Sequence, residues 1–152
     1  LEMLKAVTRK ARKINKNIKV LGVTILTSLN KKSLKEIGHT KSVEKLILNQ
    51  AALVKKSGAA GCICSAKEAK IIRKKFKNLF IVTPGIRLPG DKANDQARVM
   101  TPLDAFRNKA SAIVMGRSLL KNNIKNNIKK LIDHLNQWLK GARSAGSPIS
   151  IH

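Results

Sequence analysis

Apolar residues along this chain keep two kinds of spacing in turn. Leu1, Leu4, Val7, Ala11 and Ile14 recur every three or four residues, which predicts one face of a helix over 1–14. Ile18 to Leu26, "IKVLGVTIL", is a near-continuous apolar run rich in β-branched residues, the pattern of a strand buried on both faces. Val43, Leu46, Ile47, Ala51 and Val54 mark a second helical face, with Ser42 as its N-cap and Gly58 as its stop. The alternation then repeats. "AGCIC" predicts a strand, and "SAKEAKIIRKKF" predicts a helix in which Ser65 and Glu68 form a capping box. "LFIVT" predicts a strand. "TPLDAFRN" predicts a helix capped by Thr101, with Pro102 in its first turn. "SAIVM" predicts a strand, and "SLLKNNIKNNIKKLIDHLNQWL" predicts one long helix with Leu120, Ile124, Ile128, Leu131, Leu135 and Trp138 on its inner stripe.

The order is a helix followed by four strand–helix units. Buried strands alternating with helices form a parallel sheet with helices outside. Four units make either an open doubly wound sheet or part of a (β/α)8 barrel. A whole barrel takes roughly 250 residues, so a chain of 152 residues holds only half of one. The periodic region is read as a single domain over 1–140. The segment 141–152, "GARSAGSPISIH", has no period and is expected to be a flexible tail.

Composition narrows the functional classes. No apolar run approaches the ~20 residues of a membrane helix, and the N-terminal segment is basic and amphipathic without a secretory cleavage pattern. It could pass for a transit peptide, but a helix of the domain explains its spacing better. Leu1 is not an initiator Met, which is consistent with a start inside a longer protein. Cys62 and Cys64 are one residue apart, unsuited to a mutual disulfide and unlike the Cys-x-x-Cys of redox or zinc sites. Two reduced cysteines in a buried strand suit a cytoplasmic protein, and no metal site is expected. The net charge of +24, from 32 basic and 8 acidic residues, invites a nucleic-acid partner. Against this, the lysines alternate with Asn and Ile rather than with stacking aromatics, so the reading favours a solvated surface and an anionic small-molecule substrate.

In either architecture, ligands bind beyond the C-terminal ends of the strands. Those ends read "LTS" (26–28), "CSA" (64–66), "TPGIR" (83–87) and "MGRS" (115–118). In the last, Gly116 allows close approach of a ligand, Arg117 offers a forked donor suited to phosphate, and Ser118 is expected to cap the final helix. After the third strand comes a long loop through Pro102 with turns at Thr83-Pro84-Gly85 and Pro89-Gly90. Unstructured loops of that length in compact domains are usually functional or disordered. Arg87 and Gln96 can face the same mouth as Arg117. Asp91, Lys92 and Asp95 look like an acid–base set, but a solvated loop crest explains them better, because a mobile loop does not hold catalytic register. His39 and His134 lie away from the strand ends.

The segments "LGVTILTSL", "GCICSAKEA", "IVTPGIRLPGDKANDQARVMTP" and "SAIVMGRSLL", in this order, resemble orotidine 5′-phosphate decarboxylases over roughly Leu1 to Leu139. The 21-residue stretch from Val82 to Pro102 is the most specific part. The resemblance implies a (β/α)8 TIM barrel acting as a homodimer without metal or organic cofactor, and it makes the long loop a lid over the substrate phosphate. It implies that Arg87 and Arg117 meet the phosphate, with Gly116 supplying backbone. It further implies that Gln96 links phosphate to pyrimidine, and that Thr27, with Ser28 beside it, contacts the ring's polar edge.

The chain aligns with the family's second half only. The family's chemistry rests on an Asp-x-Lys-x-x-Asp segment near the end of strand three, whose lysine protonates the carbanion. No Asp of this chain has Lys two places on, and Asp91-Lys92-x-x-Asp95 has the wrong spacing. The expected fold is therefore the C-terminal half of a TIM barrel, four parallel strands each followed by a helix. The expected function is the phosphate and pyrimidine clamp for orotidine 5′-phosphate or UMP, with no catalytic residue of its own and no activity alone. A second copy or a complementing N-terminal half would be its partner. The alternatives are a non-enzymatic nucleotide-binding remnant and a basic nucleic-acid-binding protein.

Overall fold

The computed structural model describes residues 1–25, 29, 31–40, 42–91 and 100–144, with side chains as far as Gln137 apart from Lys31. Its four strands are β1 (Leu21–Val23), β2 (Gly61–Ile63), β3 (Phe80–Thr83) and β4 (Ala112–Ile113). They form one parallel sheet in the order β1-β2-β3-β4. A doubly wound sheet would reverse its strand order at a switch point. A sequential order has no such point, and it is how successive strand–helix units lay down the wall of a (β/α)8 barrel. The expected half barrel is the observed architecture.

The helices are α1 (Glu2–Ile14), α2 (Lys31–Glu36), α3 (Val43–Lys56), α4 (Ala66–Lys75), α5 (Pro102–Arg107), α6 (Arg117–Leu120) and α7 (Ile124–Ser144). Capping follows the sequence at α3 and α5. The Ser42 hydroxyl accepts from the Lys45 N–H at 3.2 Å, and the Thr101 hydroxyl from the Asp104 N–H at 3.2 Å. On α4 the capping box does not form. Ser65 precedes the helix, but its hydroxyl turns to the Glu68 carboxylate, and both side chains are buried.

Strand register separates the two faces of the sheet. Gly22, Cys62 and Ile81 share one row, and a Cβ at Gly22 would stand 2.3 Å from Val54 Cγ2 of α3, so this row faces the helices. There Leu46, Ile47, Ala51, Val54, Ile72, Cys62 and Ile81 make the main core. The opposite row contains Val23, Ile63, Val82 and Ala112, and it faces what would be the barrel axis. Val23 is 57% exposed and Val114, just past β4, 52% exposed, so the apolar inner face is open at both sides of the sheet. At Gly61 the backbone of β3 comes so close that a Cβ would lie 1.8 Å from the Phe80 carbonyl oxygen, which only glycine allows.

Arg73 of α4 ties the entry of β3 to that of β4. Its guanidinium donates to the Lys77 carbonyl at 2.5 Å, the Leu79 carbonyl at 2.8 Å and the Ser111 hydroxyl at 2.8 Å. Cys62 and Cys64 are both buried and are not joined in a disulfide. A hydrogen bond from Cys64 holds the Cys62 thiol below its ordinary pKa, with burial opposing and the Arg73 charge reinforcing the shift.

Four expectations about helices change. The single long helix after β4 is two, because Asn122 takes a left-handed conformation (φ 57°) and Asn123 accepts from the Asn126 N–H at 3.1 Å, starting α7 afresh. Asparagine suits both roles. Helix α7 also continues to Ser144, past the end expected at residue 140; residues 145–152 of the expected tail lie outside the described residues. The inner stripe is not covered, since Leu120, Ile124 and Ile128 are exposed and Leu131 and Leu135 only half-buried; the Trp138 side chain lies outside the described residues. On α1 the docked face is Leu4, Thr8 and Ala11, while Val7 and Ile14 of the expected face are exposed together with Met3. Both departures have one physical reason. Among the described residues, α5 and α6 pack on α7 without covering Ile124 and Ile128, and no element covers Met3, Val7 and Ile14 of α1.

Candidate functional site

The C-terminal ends of β3 and β4 gather the residues singled out in the sequence. Leaving β3, the chain turns at Gly85, whose φ of 76° a side chain would strain. It then buries Ile86, Arg87 and Leu88 in succession. Ile86 bridges Met100 in parallel, and the Arg87 N–H donates to the Met100 carbonyl at 3.1 Å. The long loop is therefore closed at its base, leaving and returning at one place. Ile86 packs there with Ala66 and Ala105 in a second apolar cluster, against which Met100, Ile113 and Met115 lie.

Ser118 joins the third strand's exit to the fourth's. Its hydroxyl accepts from the Leu88 N–H at 3.2 Å and donates to the Asp91 carboxylate. Both expectations for this corner are corrected. Ser118 does not cap a helix, because α6 starts from Gly116 and Ser118 sits inside it, buried. Asp91 is not a solvated crest, because Ser118 holds it at the root of the loop.

Arg87 and Arg117 thus flank one tie, Leu88 to Ser118. Their environments differ. Arg117 is exposed at the rim, next to Gly116, where an added Cβ would meet nothing within 4 Å. Arg87 is 6% exposed. One of its nitrogens donates to the Ile86 carbonyl at 3.0 Å, while Nε is buried without a hydrogen-bond partner. Carboxylates at this end are occupied by hydroxyls: Asp91 by Ser118, Glu68 by Ser65 and Asp104 by Thr101. Among the described residues none pairs with Arg87. A buried guanidinium with a vacant donor costs free energy unless an anion completes it.

Thr27, Ser28, Gln96, Lys92 and Asp95 lie outside the described residues. His39 is exposed after α2 and His134 lies on α7, neither at a strand's C-terminal end. Sequence reading missed the Ser118 tie. Its signal was present, since a serine directly after Gly-Arg faces a turn-rich loop, but one hydroxyl has too many possible partners for the sequence to choose among them.

A sequentially ordered parallel sheet of four strand–helix units, with basic and glycine-bearing turns at its strand ends, defines half of a (β/α)8 barrel. The particular family follows from comparison with known proteins. The orotidine 5′-phosphate decarboxylase / HUMPS family model matches residues 1–130, and the chain belongs to that family. An orotidine 5′-phosphate decarboxylase of Fusobacterium nucleatum is 44% identical over 123 residues, covering 80% of this chain and 52% of the relative. One from Coxiella burnetii is 43% identical over 104 residues, covering 68% and 44%. The crystal structure of the orotidine 5′-phosphate decarboxylase from Lactobacillus acidophilus superposes with a TM-score of 0.56 at 32% identity, over 74% of this chain and 49% of that one. The chain spans about half the length of the curated relatives it matches.

Proposed function

We propose that this chain supplies the phosphate and pyrimidine clamp of an orotidine 5′-phosphate decarboxylase, the C-terminal portion of a barrel that converts orotidine 5′-phosphate to UMP and carbon dioxide in the cytoplasm. The observation that carries the reading is Arg87, a buried guanidinium with an unpartnered Nε beside the rim that bears Arg117. A phosphate oxygen is the acceptor that both can share. Gly116 leaves room for the phosphate beside the backbone, and the family resemblance assigns Gln96 and Thr27 to the ring.

The chemistry needs a proton at C6 of the pyrimidine once carbon dioxide leaves. No Asp-x-Lys-x-x-Asp segment lies in this sequence, so the proton donor comes from a complementing N-terminal half. The open sheet edges at β1 and β4 and the exposed stripes of α1 and α7 are where that half docks. The completed barrel pairs as a homodimer. This division of labour has a physical logic. Phosphate binding far from C6 supplies remote binding energy that lowers the chemical barrier.

The test is calorimetric titration of the chain with UMP. Binding should weaken about tenfold in Arg117→Ala, the loss of one charge-assisted hydrogen bond at the rim; unchanged affinity would remove Arg117 from the site. Ser118→Ala should weaken UMP about three- to tenfold without touching the ligand, because it releases Leu88 and Asp91 at the loop's root. The same titration checks it, and an unaltered affinity would mean the tie does not position the clamp.

A further inference from the structure

At the opposite end of the sheet the surface carries a second cationic feature. Lys5, Thr8, Arg9, Arg12 and Lys13 of α1, Lys16 just past its C-terminal end and Ser57 at the end of α3 line a groove of about 640 Å³. Ser57 and Gly58 lead into β2 from its N-terminal side, so the groove lies away from the strand ends that carry Arg87 and Arg117. Lys5, Arg9 and Arg12 follow one another on α1 at four and three residues, one cation per helical turn, and Lys16, past the C-cap Asn15, lines the same groove. At 1.5 Å rise per residue the helical part of the row, Lys5 to Arg12, is about 10 Å long.

The wall is held in place. Arg12 donates to the Gly58 carbonyl at 2.6 Å, which pins α1 against the end of α3. Thr8 forms the floor at 4% exposure, and its hydroxyl has no hydrogen-bond partner. Glu2 is the acid that reaches this row, bonded to Lys5 at 3.0 Å; among the described residues no ion pair joins a carboxylate to Arg9, Arg12, Lys13 or Lys16. At about 100° per residue, the exposed apolar stripe Met3, Val7 and Ile14 lies on roughly the other side of α1. An element docked on that stripe leaves the groove open.

We propose that this groove binds an extended polyphosphate-type anion, a linear run of phosphoryl groups held by charge along α1. The row of cations requires several negative charges spread over a length, which a single phosphate does not have. Among the described residues no aromatic side chain lines the groove, so it offers no platform for stacking bases. Among the described residues no apolar side chain lines it either, so it lacks the apolar face that an interfacial helix sinks into a membrane. What remains is recognition of a phosphate backbone alone.

The full chain should be titrated with inorganic tripolyphosphate and with long-chain polyphosphate at two salt concentrations. Long-chain polyphosphate is expected to bind, more weakly at high salt, and at least tenfold more weakly in the triple variant Arg9→Gln, Lys13→Gln, Lys16→Gln. The control triple Lys125→Gln, Lys129→Gln, Lys130→Gln on α7 removes the same charge and should change affinity less than twofold. Orthophosphate should bind at least tenfold more weakly than long-chain polyphosphate. Equal losses in both triple variants would overturn the proposal, leaving only the attraction of a highly basic protein for any polyanion. Tighter binding of a single-stranded oligonucleotide, or of vesicles containing anionic lipid, than of polyphosphate at equal charge would overturn it as well. Thr8→Val separates binding from folding. It should weaken polyphosphate and leave the melting temperature unchanged or raised; unaltered affinity would take the floor hydroxyl out of the site and contradict the proposed geometry.

Discussion

Replacing Arg87 with methionine should lower UMP affinity by about 10- to 100-fold while leaving the chain as stable as before or more so. The magnitude follows from hydrogen bonds to charged groups, worth about 1.5–3 kcal/mol each, at about 1.4 kcal/mol per tenfold. The stability half of the prediction comes from burial. Arg87 is 6% exposed, its Nε lacks a partner, and no described carboxylate neutralises it. Such a group weakens the unliganded fold, and an apolar side chain of similar length relieves that cost. An arginine kept for structure would behave otherwise, and Arg73 is the comparison. It holds the Lys77 and Leu79 carbonyls and the Ser111 hydroxyl, so Arg73→Met should lower the melting temperature. Calorimetry with UMP and thermal melts on the same samples check both. If Arg87→Met melts well below the parent chain, its role is structural.

The second large effect is on activity. The chain alone should produce UMP from orotidine 5′-phosphate no faster than buffer. A family N-terminal half carrying Asp-x-Lys-x-x-Asp, refolded with it, should restore turnover, and the same half with that lysine changed to Ala should not. A positioned general acid contributes about 10²–10⁴-fold, so the lysine's loss should be plain even where the complex still binds nucleotide. Physical association is expected because β1 and β4 are edge strands and Val23 and Val114 face open solvent on the inner side of the sheet. A continuous decarboxylation assay on each half and on the mixture measures this. Turnover by the lone chain would mean that a proton donor lies within these 152 residues.

Where each element has a neighbour to bury it, the sequence pattern reads correctly. On α3, Leu46, Ile47, Ala51 and Val54 recur at helical spacing and all are buried, because the sheet lies beneath them. Ser42 and Thr101 cap as their positions suggest, since a cap depends only on groups within one turn. Periodicity failed at the chain's two ends. Val7, Ile14, Ile124 and Ile128 have core spacing and are exposed, because spacing says which face is apolar but not whether anything covers it. The short helix α2 went unread, with Leu34 its one buried apolar residue and no stripe to reveal it. The break before α7 needed the left-handed Asn122, which a run of good spacing concealed.

The site was legible as a set of residue types more than as a geometry. Arg87, Gly116 and Arg117 stood out because guanidinium groups and glycine at strand ends have a chemical purpose. That Arg87 is buried with a vacant Nε could not be read, since burial of a loop arginine depends on the return of Met100 to Ile86 across the long loop. The Ser118 contacts to Leu88 and Asp91 join positions distant in sequence, and nothing in the local pattern marks them.

The most direct measurement compares UMP with uridine on the parent chain and on a double Arg87→Met, Arg117→Ala variant. Uridine differs only in lacking the phosphate, so the ratio of the two affinities reports the grip on that group alone. The parent should prefer UMP by about 30-fold or more, the equivalent of about 2 kcal/mol, and the double variant should lose nearly all of that preference with uridine binding unchanged. A preference that survives in the double variant would place the phosphate elsewhere on the molecule and contradict the clamp.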